Sequence, residues 1–462
     1  MPAPANLSAD TATTINVGKE AAEHFLLQNG YRNLNHGSFG TYPRAVRTTL
    51  RALQDECEGQ PDRFIRYTYP QKVDESRQIV ADYLNASVDT IVFVPNATTG
   101  VNTVLRNLLW QPGDVILYLS TIYGACQKTI EYLAETTPVQ GQAVEVTYPI
   151  SDAALVQAFL STVSSIKAAG KTPKLAMFDT IVSMPGVRVP FGQLTKLCHE
   201  HGILSLIDGA HSIGQIPINL GELNPDFYVS NLHKWLHVPR GCAVFYCPVK
   251  NQPLMRSSLP TSHGFVPKVN TALVSPLPPS QKSEFVNNFE FTGTIDTNPY
   301  LCVGAALNWR ARMAWNGKNG EEAIMAYYIF LARKAGQIVA GILETEVMEN
   351  SEGTLQNCAF SNVALPLSLQ DDAEGTYTVA VAIAQWMSKV LVEEYNTFLA
   401  ILIHGGRWWV RLSAQVYLDE EDFHWAGKVL QEVCERAKDG EWRGARPGPP
   451  VRLAGNQIAS QS

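Results

Sequence analysis

The sequence predicts an α/β fold whose main sheet is mostly parallel, and three observations predict it. Apolar runs of strand length alternate along the chain with amphipathic stretches of helix length. Two of those runs lead into residues that carry chemistry, Asp208 and Lys234, at the edge where open parallel sheets bind ligands. Hydrophobic residues make up 45% and charged residues 17% of a 462-residue chain, which suits a large buried core and excludes wholesale disorder.

The elements follow in order. The first twenty residues are small and polar, and a flexible tail is expected over 1–27, followed by an N-terminal segment over 28–70. TIVFV (90–94) reads as a strand and ATTGVNTVLRNLL (97–109) as the helix after it. DVILYLS (114–120), AVEVTY (143–148), KLAMFDTIV (174–182) and ILSLIDGA (203–210) read as further strands. Between them lie the helical patterns GACQKTIEYLAE (124–135), DAALVQAFLSTVSSIKAAG (152–170) and GQLTKLCHEHG (192–202). DFYVSN (226–231) and CAVFYCP (242–248) follow too closely for a crossover helix, so at least one of them should be antiparallel. Together these form a large lobe over 71–300. The Pro-rich stretch 259–279 is long for a loop and suggests a lid or an inter-subunit contact. Helical patterns then dominate a smaller α/β lobe over 301–438, broken by the strand RWWVRLSAQVY (407–417), and a Gly- and Pro-rich disordered tail is expected over 439–462.

With 36 Lys and Arg against 43 Asp and Glu, the formal charge is −7, which argues against a nucleic-acid or membrane-surface protein. Eight cysteines are scattered without a CxxC pair and read as reduced thiols, so no metal site is expected. No apolar run approaches bilayer length and the N-terminus lacks a secretory pattern, so the expected location is the cytoplasm.

The most informative stretch is SNLHKWLHVPRG (230–241). Taken alone, a Lys at a strand end snorkels to solvent. Asp208, at the end of ILSLID and 26 residues upstream, changes the reading, although taken alone it too could simply cap a helix. A carboxylate and an amine at neighbouring strand ends suit pyridoxal phosphate, whose aldehyde joins a Lys and whose ring nitrogen stays protonated beside an acid. PNATTG (95–100) opens a helix directly after a strand, where free N–H groups attract a phosphate.

The ordered set NATTGVN (96–102), IYGA (122–125), SMPGV (183–187), DGAHSIGQ (208–215), SNLHKW (230–235), FTGT (291–294) and VRLSAQVY (410–417) resembles the class V aminotransferase-like family of fold type I pyridoxal phosphate enzymes, over residues 28 to 435. Within it, YRNLNHGSFGTYP (31–43), TIYGAC, RGCAVFY and LPTSHGFVP resemble the fungal C–S lyases that cleave hercynylcysteine sulfoxide in ergothioneine biosynthesis, and the related loline-pathway cyclases. The resemblance implies a seven-stranded-type sheet in the large domain, a small C-terminal α/β domain and a homodimer. It implies that Lys234 carries the cofactor and acts as base, that Asp208 pairs with the ring nitrogen, and that His211 contacts the ring oxygen. Ala97, Thr98, Ser230 and His233 would hold the phosphate, and Thr294 would reach the phosphate of the neighbouring protomer. Tyr123 would cover the ring and protonate a leaving group, Ser183 would lie near the ring oxygen, and Arg411 would grip the substrate carboxylate. His36 and Trp409 are further candidates for the substrate side. Tyr67, Arg63, Arg66, His404, Arg407 and Trp408 are candidates for the entrance, where a Trp face would attract a quaternary ammonium head. Taken singly, Arg411 could salt-bridge on a strand, Tyr123 could be core and His233 could be a satisfied buried histidine.

The implied reaction is removal of the α-proton followed by β-elimination of a cysteine-conjugate sulfoxide. A desulfurase would need a Cys shortly before Arg411, and NTFLAILIHGGRWWVR has none. Cyclisation, epimerisation or transamination on the same scaffold remains open, as does a non-enzymatic binding role.

Overall fold

The computed structural model describes residues 13–261, 264–269, 277–369 and 378–444. The outer parts of both expected tails, 1–12 and 445–462, and residues 262–263 and 270–276 of the Pro-rich stretch lie outside them.

Seven strands form the main sheet, in the spatial order Ile91–Val94, Ala243–Tyr246, Phe227–Asn231, Leu204–Asp208, Thr172–Asp179, Asp114–Leu119 and Gln140–Val144. Ala243–Tyr246 is the one reversed strand, antiparallel to both neighbours, as the short spacing after Phe227–Asn231 requires. The other pairings are parallel, so the strands other than Ala243–Tyr246 deliver their C-terminal ends to one edge. Nearly every residue of the central strands is buried, which explains why they read as unbroken apolar runs.

The intervening helices begin where the sequence supplies a cap. The Asn96 side chain accepts from the Thr99 N–H at the start of Ala97–Asn107, and Ser151 accepts from Ala154 N–H at the start of Asp152–Ala168. A second, antiparallel sheet carries Phe360–Ala364, Arg407–Ser413 and Ala400–His404, with Arg407–Ser413 in the centre. The helices Gly320–Leu343 and Glu420–Lys438 pack together beside it, the latter opened by a capping box at Asp419.

Three expectations need correction. Residues 13–27 are not a tail: Ile15–Asn16 pairs with Met313–Trp315, and Ile15 and Phe25 are each 1% exposed. Phe25 meets the ring of Tyr417 edge-on, 4.7 Å between centroids. The small polar composition of the segment hid apolar anchors spaced within it. At the other end, Glu441–Gly444 forms one more helical turn, with Trp442 packed on the core and Glu441 paired with Arg436. The helix Tyr69–Leu84 also runs across the boundary expected at residue 70, continuing a helical path from Arg44–Gly59 through the π-turn Phe64–Thr68.

Candidate active site

Lys234 sits on the turn Leu232–Trp235 that follows the strand Phe227–Asn231. Its amine lies 3.1 Å from Nε2 of His211. Burial pushes the ammonium down to about 8 against the opposing pull of Asp208, so the amine loses its proton far more readily than a surface lysine. Asp208 ends the next strand, accepts the Ala210 N–H at 2.9 Å and lies 3.5 Å from the Cys126 thiol. In register beside it on the adjacent parallel strand stands Asp179, equally buried. Burial raises both carboxyls, Asp179 further because Asp208 is a second negative charge beside it, and one Asp179 oxygen has no partner.

His211 is buried and neutral, held well below its ordinary range by burial and by the Lys234 charge. His233 donates from Nδ1 to the Cys242 carbonyl at 2.9 Å, and burial holds it near 4. Gly40 is what lets the N-terminal segment lie against this turn: its φ is +65°, and a Cβ there would fall 1.8 Å from the His233 carbonyl oxygen.

At the helix start after Ile91–Val94, the Ala97 N–H is taken by Oδ1 of Asn231 at 2.9 Å and the Thr99 N–H by Asn96. The Thr98 amide and hydroxyl donate to nothing among the described residues, leaving an N-terminal cradle for an anion. Ser230 does not join it. Successive strand residues face opposite sides, so Ser230 turns inward, fully buried, and donates to the Gly209 carbonyl at 2.5 Å, while Asn231 faces the helix start. Asn231 is the residue that sequence reasoning passed over, and strand alternation was the signal that could have found it.

Arg411, on the central strand of the second sheet, is 1% exposed. Nη1 donates to the Ser183 carbonyl at 2.6 Å, and Nη2 to Asn35 Oδ1 at 2.8 Å and Ser38 Oγ at 3.1 Å. The guanidinium stacks 4.5 Å over the Phe360 ring, Nε–H has no partner, and no carboxylate pairs with it among the described residues. Burial lowers Arg411 to about 10, which still leaves it cationic at neutral pH. An uncompensated buried guanidinium is a ready receptor for a substrate carboxylate. Asn35, Ser38 and Phe360 are additions to the site read from the sequence; the NHGS stretch was noticed there, but for His36.

His36 requires correction. It is 1% exposed, donates from Nε2 to the Lys234 carbonyl at 2.7 Å and accepts from Tyr417 at Nδ1. Both ring nitrogens are used inside the protein, so it supports the lysine turn and leaves nothing for a substrate. Trp409 is corrected likewise: it is 3% exposed, its indole donates to the His404 carbonyl at 3.1 Å, and its ring lies under Arg407. Trp408 is also buried, His404 accepts the Tyr148 N–H, and Arg407 ion-pairs with Glu346. Neither tryptophan offers an open face to an ammonium head. Arg66 pairs with Asp62, and Tyr67 is exposed.

Tyr123 stands half exposed at the start of Gly124–Thr136, past the end of Asp114–Leu119. Thr294 is exposed on the loop before Asn298–Cys302, and no hydrogen bond joins it to the other site residues. Among the described residues, no group of acidic, His or Cys side chains could hold a metal ion, and no helix is long and apolar enough to cross a membrane.

The arrangement therefore offers a reactive amine, a carboxylate beside it, the free Thr98 N–H and hydroxyl at a helix start, and a guanidinium that no carboxylate pairs with among the described residues. That donor set fits pyridoxal phosphate with an amino acid: Lys234 would bind it covalently, Asp208 would face its ring nitrogen, and Thr98 would meet its phosphate.

The chain matches the aminotransferase class-V family model over residues 59–334. It is 39% identical to the L-cysteine desulfhydrase-like protein lolT1 of Epichloe uncinata, over 92% of this chain and 97% of that one. It is 31% identical to the hercynylcysteine sulfoxide lyase of Schizosaccharomyces pombe, over 90% and 98%. Among solved structures, the cystine C–S lyase C-DES shares the fold with a TM-score of 0.68 at 19% identity, covering 87% of this chain and 98% of that one. The chain belongs to the aminotransferase class-V family and is a pyridoxal phosphate-dependent enzyme.

Proposed function

We propose that the protein cleaves the C–S bond of a cysteine conjugate, a sulfoxide of the hercynylcysteine kind, by α-proton removal and β-elimination. The observation that carries this reading is the buried, uncompensated Arg411 guanidinium, close enough to Lys234 for its charge to help lower the Lys234 pKa. Together they suit an α-amino acid with its α-carbon at the lysine.

Held by Lys234 until the substrate amine replaces it and frees the lysine, pyridoxal phosphate would supply the electron sink for the substrate Cα–H bond. The protein does the rest. Arg411 holds the carboxylate and orients the α-carbon; Ser183, Asn35 and Ser38 keep the guanidinium in place. The Lys234 amine takes the α-proton. The Cα–H electron pair becomes the Cα–Cβ double bond, the C–S bond breaks, and the sulfur leaves as a sulfenic acid with a proton from the Tyr123 hydroxyl. Water converts the three-carbon remainder to pyruvate and ammonia. The absence of a cysteine between 395 and 410 supports elimination over persulfide formation, which needs a thiolate there.

The working unit in this reading is a cytoplasmic homodimer in which the exposed Thr294 completes the partner's phosphate site. A second reading, cyclisation of an amine-bearing amino acid, draws support from the higher identity to lolT1 and from the loline-pathway resemblance. Product analysis separates them. Incubation with a cysteine-conjugate sulfoxide should release pyruvate and ammonia in equal amounts. A ring product from a cyclisable amine, with no pyruvate from any sulfoxide, would overturn the lyase reading.

A further inference from the structure

The His211 ring is addressed on both sides. Nε2 faces the Lys234 amine at 3.1 Å, and Nδ1 lies 3.3 Å from the indole Nε1 of Trp235. An indole nitrogen is only ever a donor. If Trp235 donates to Nδ1, that nitrogen carries the lone pair, and in a neutral imidazole the single proton then resides on Nε2. Trp235 has no freedom to do otherwise: it is fully buried, edge-on to Tyr328 and Phe360, and the carbonyl it carries is gripped by Arg310 Nη1 at 2.6 Å. Phe360 also meets the His211 ring edge-on, which holds the plane of the imidazole.

We propose that Trp235 is a positioning residue that locks His211 in its Nε2–H tautomer, making His211 an obligate hydrogen-bond donor on the face where Lys234 carries the cofactor. Without the indole, a neutral imidazole is free to place its proton on Nδ1 and present a lone pair to the same spot, where it would repel the ring oxygen of the cofactor. The proposal rests on the reading of His211 as facing the cofactor.

The first test needs no cofactor. In cofactor-free protein with 15N-labelled histidine, held above pH 8 so that the Lys234 amine is neutral and can accept from Nε2–H, the resonances missing from His211→Gln identify the His211 nitrogens, and one-bond proton coupling shows which one is protonated. The proposal expects the proton on Nε2 in the wild type and a mixture or reversal in Trp235→Phe. A proton on Nδ1 in the wild type overturns it, and the wild-type spectrum decides this even if the variant does not fold. The second test uses the loaded enzyme and follows the pH midpoint of its visible absorbance. Loss of a donor makes the ring oxygen hold a proton more tightly, so Trp235→Phe should raise the midpoint by about one unit. The same change in the His211→Gln background should leave the midpoint where His211→Gln alone puts it. An equal shift in both backgrounds would mean that Trp235 acts through packing and overturns the proposal. A normal tautomer with no effect of His211→Ala on absorbance would instead refute the placement of His211 at the cofactor, while upholding the Trp235 lock.

Discussion

A buried guanidinium with one N–H unanswered has already met its desolvation cost, and a substrate carboxylate recovers it. Arg411→Lys loses the planar fork that Ser183, Asn35 and Ser38 hold in place. We expect kcat/KM to fall by about 30- to 1,000-fold, roughly 2–4 kcal/mol, chiefly through KM, with cofactor absorbance unchanged; steady-state kinetics at fixed cofactor occupancy measures it. Lys234 gives a second residue-level expectation. Only the neutral amine captures the cofactor, and burial has lowered its pKa, so the rate at which cofactor-free protein takes up pyridoxal phosphate should rise with pH through about 8 and level off above. A rise centred near the ordinary lysine value of 10.5 would contradict the burial of that amine. Lys234, Asp208 and Arg411 could be nominated from the sequence because each has a residue type that the chemistry cannot replace, and the structure buries all three. His36 and Trp409 were misplaced because side-chain direction depends on which partner lies opposite. Tyr417 and the Lys234 carbonyl lie hundreds of positions from His36 in one case and about two hundred in the other.

Most strands and their connecting helices were legible because apolar period and caps are local properties, and even the reversal at Ala243–Tyr246 followed from the length of a connection; the strand expected at 143–148 lies instead at Gln140–Val144, an edge strand whose exposed residues carry no apolar run. The small antiparallel partners Phe360–Ala364 and Ala400–His404 were not, since short apolar runs among helical patterns carry no mark of their pairing. The contact between the N-terminal segment and the lysine turn is the most exacting element-level feature. Gly40→Ala must both strain a positive φ and move the His233 carbonyl that would lie 1.8 Å from the new Cβ. A loss of about 2–4 kcal/mol in unfolding free energy is expected, with weakened cofactor retention, by denaturant titration and absorbance. Wild-type stability in this variant would show that the segment does not sit where the structure has it.

At the scale of the molecule, one N-terminal stretch ties both sheets to the site. Residue Asn35 and its neighbour Ser38 hold Arg411 on the second sheet, His36 supports Lys234 beside the first, and Ile15 and Phe25 anchor the stretch that leads to them. Removing residues 1–27 should therefore cost about 1.5–3 kcal/mol for each of those two buried side chains and lower the melting temperature of the loaded enzyme. A truncated protein as stable as the full chain would restore the tail expected from composition. One buried centre lies at Lys234, between a carboxylate on one sheet and a guanidinium on the other. The most direct test is to reduce the loaded enzyme with borohydride, which makes the covalent attachment of the cofactor permanent, and to map the labelled peptide by mass spectrometry. A single pyridoxyl group on Lys234 is expected; a label on any other lysine, or none at all, would refute this site.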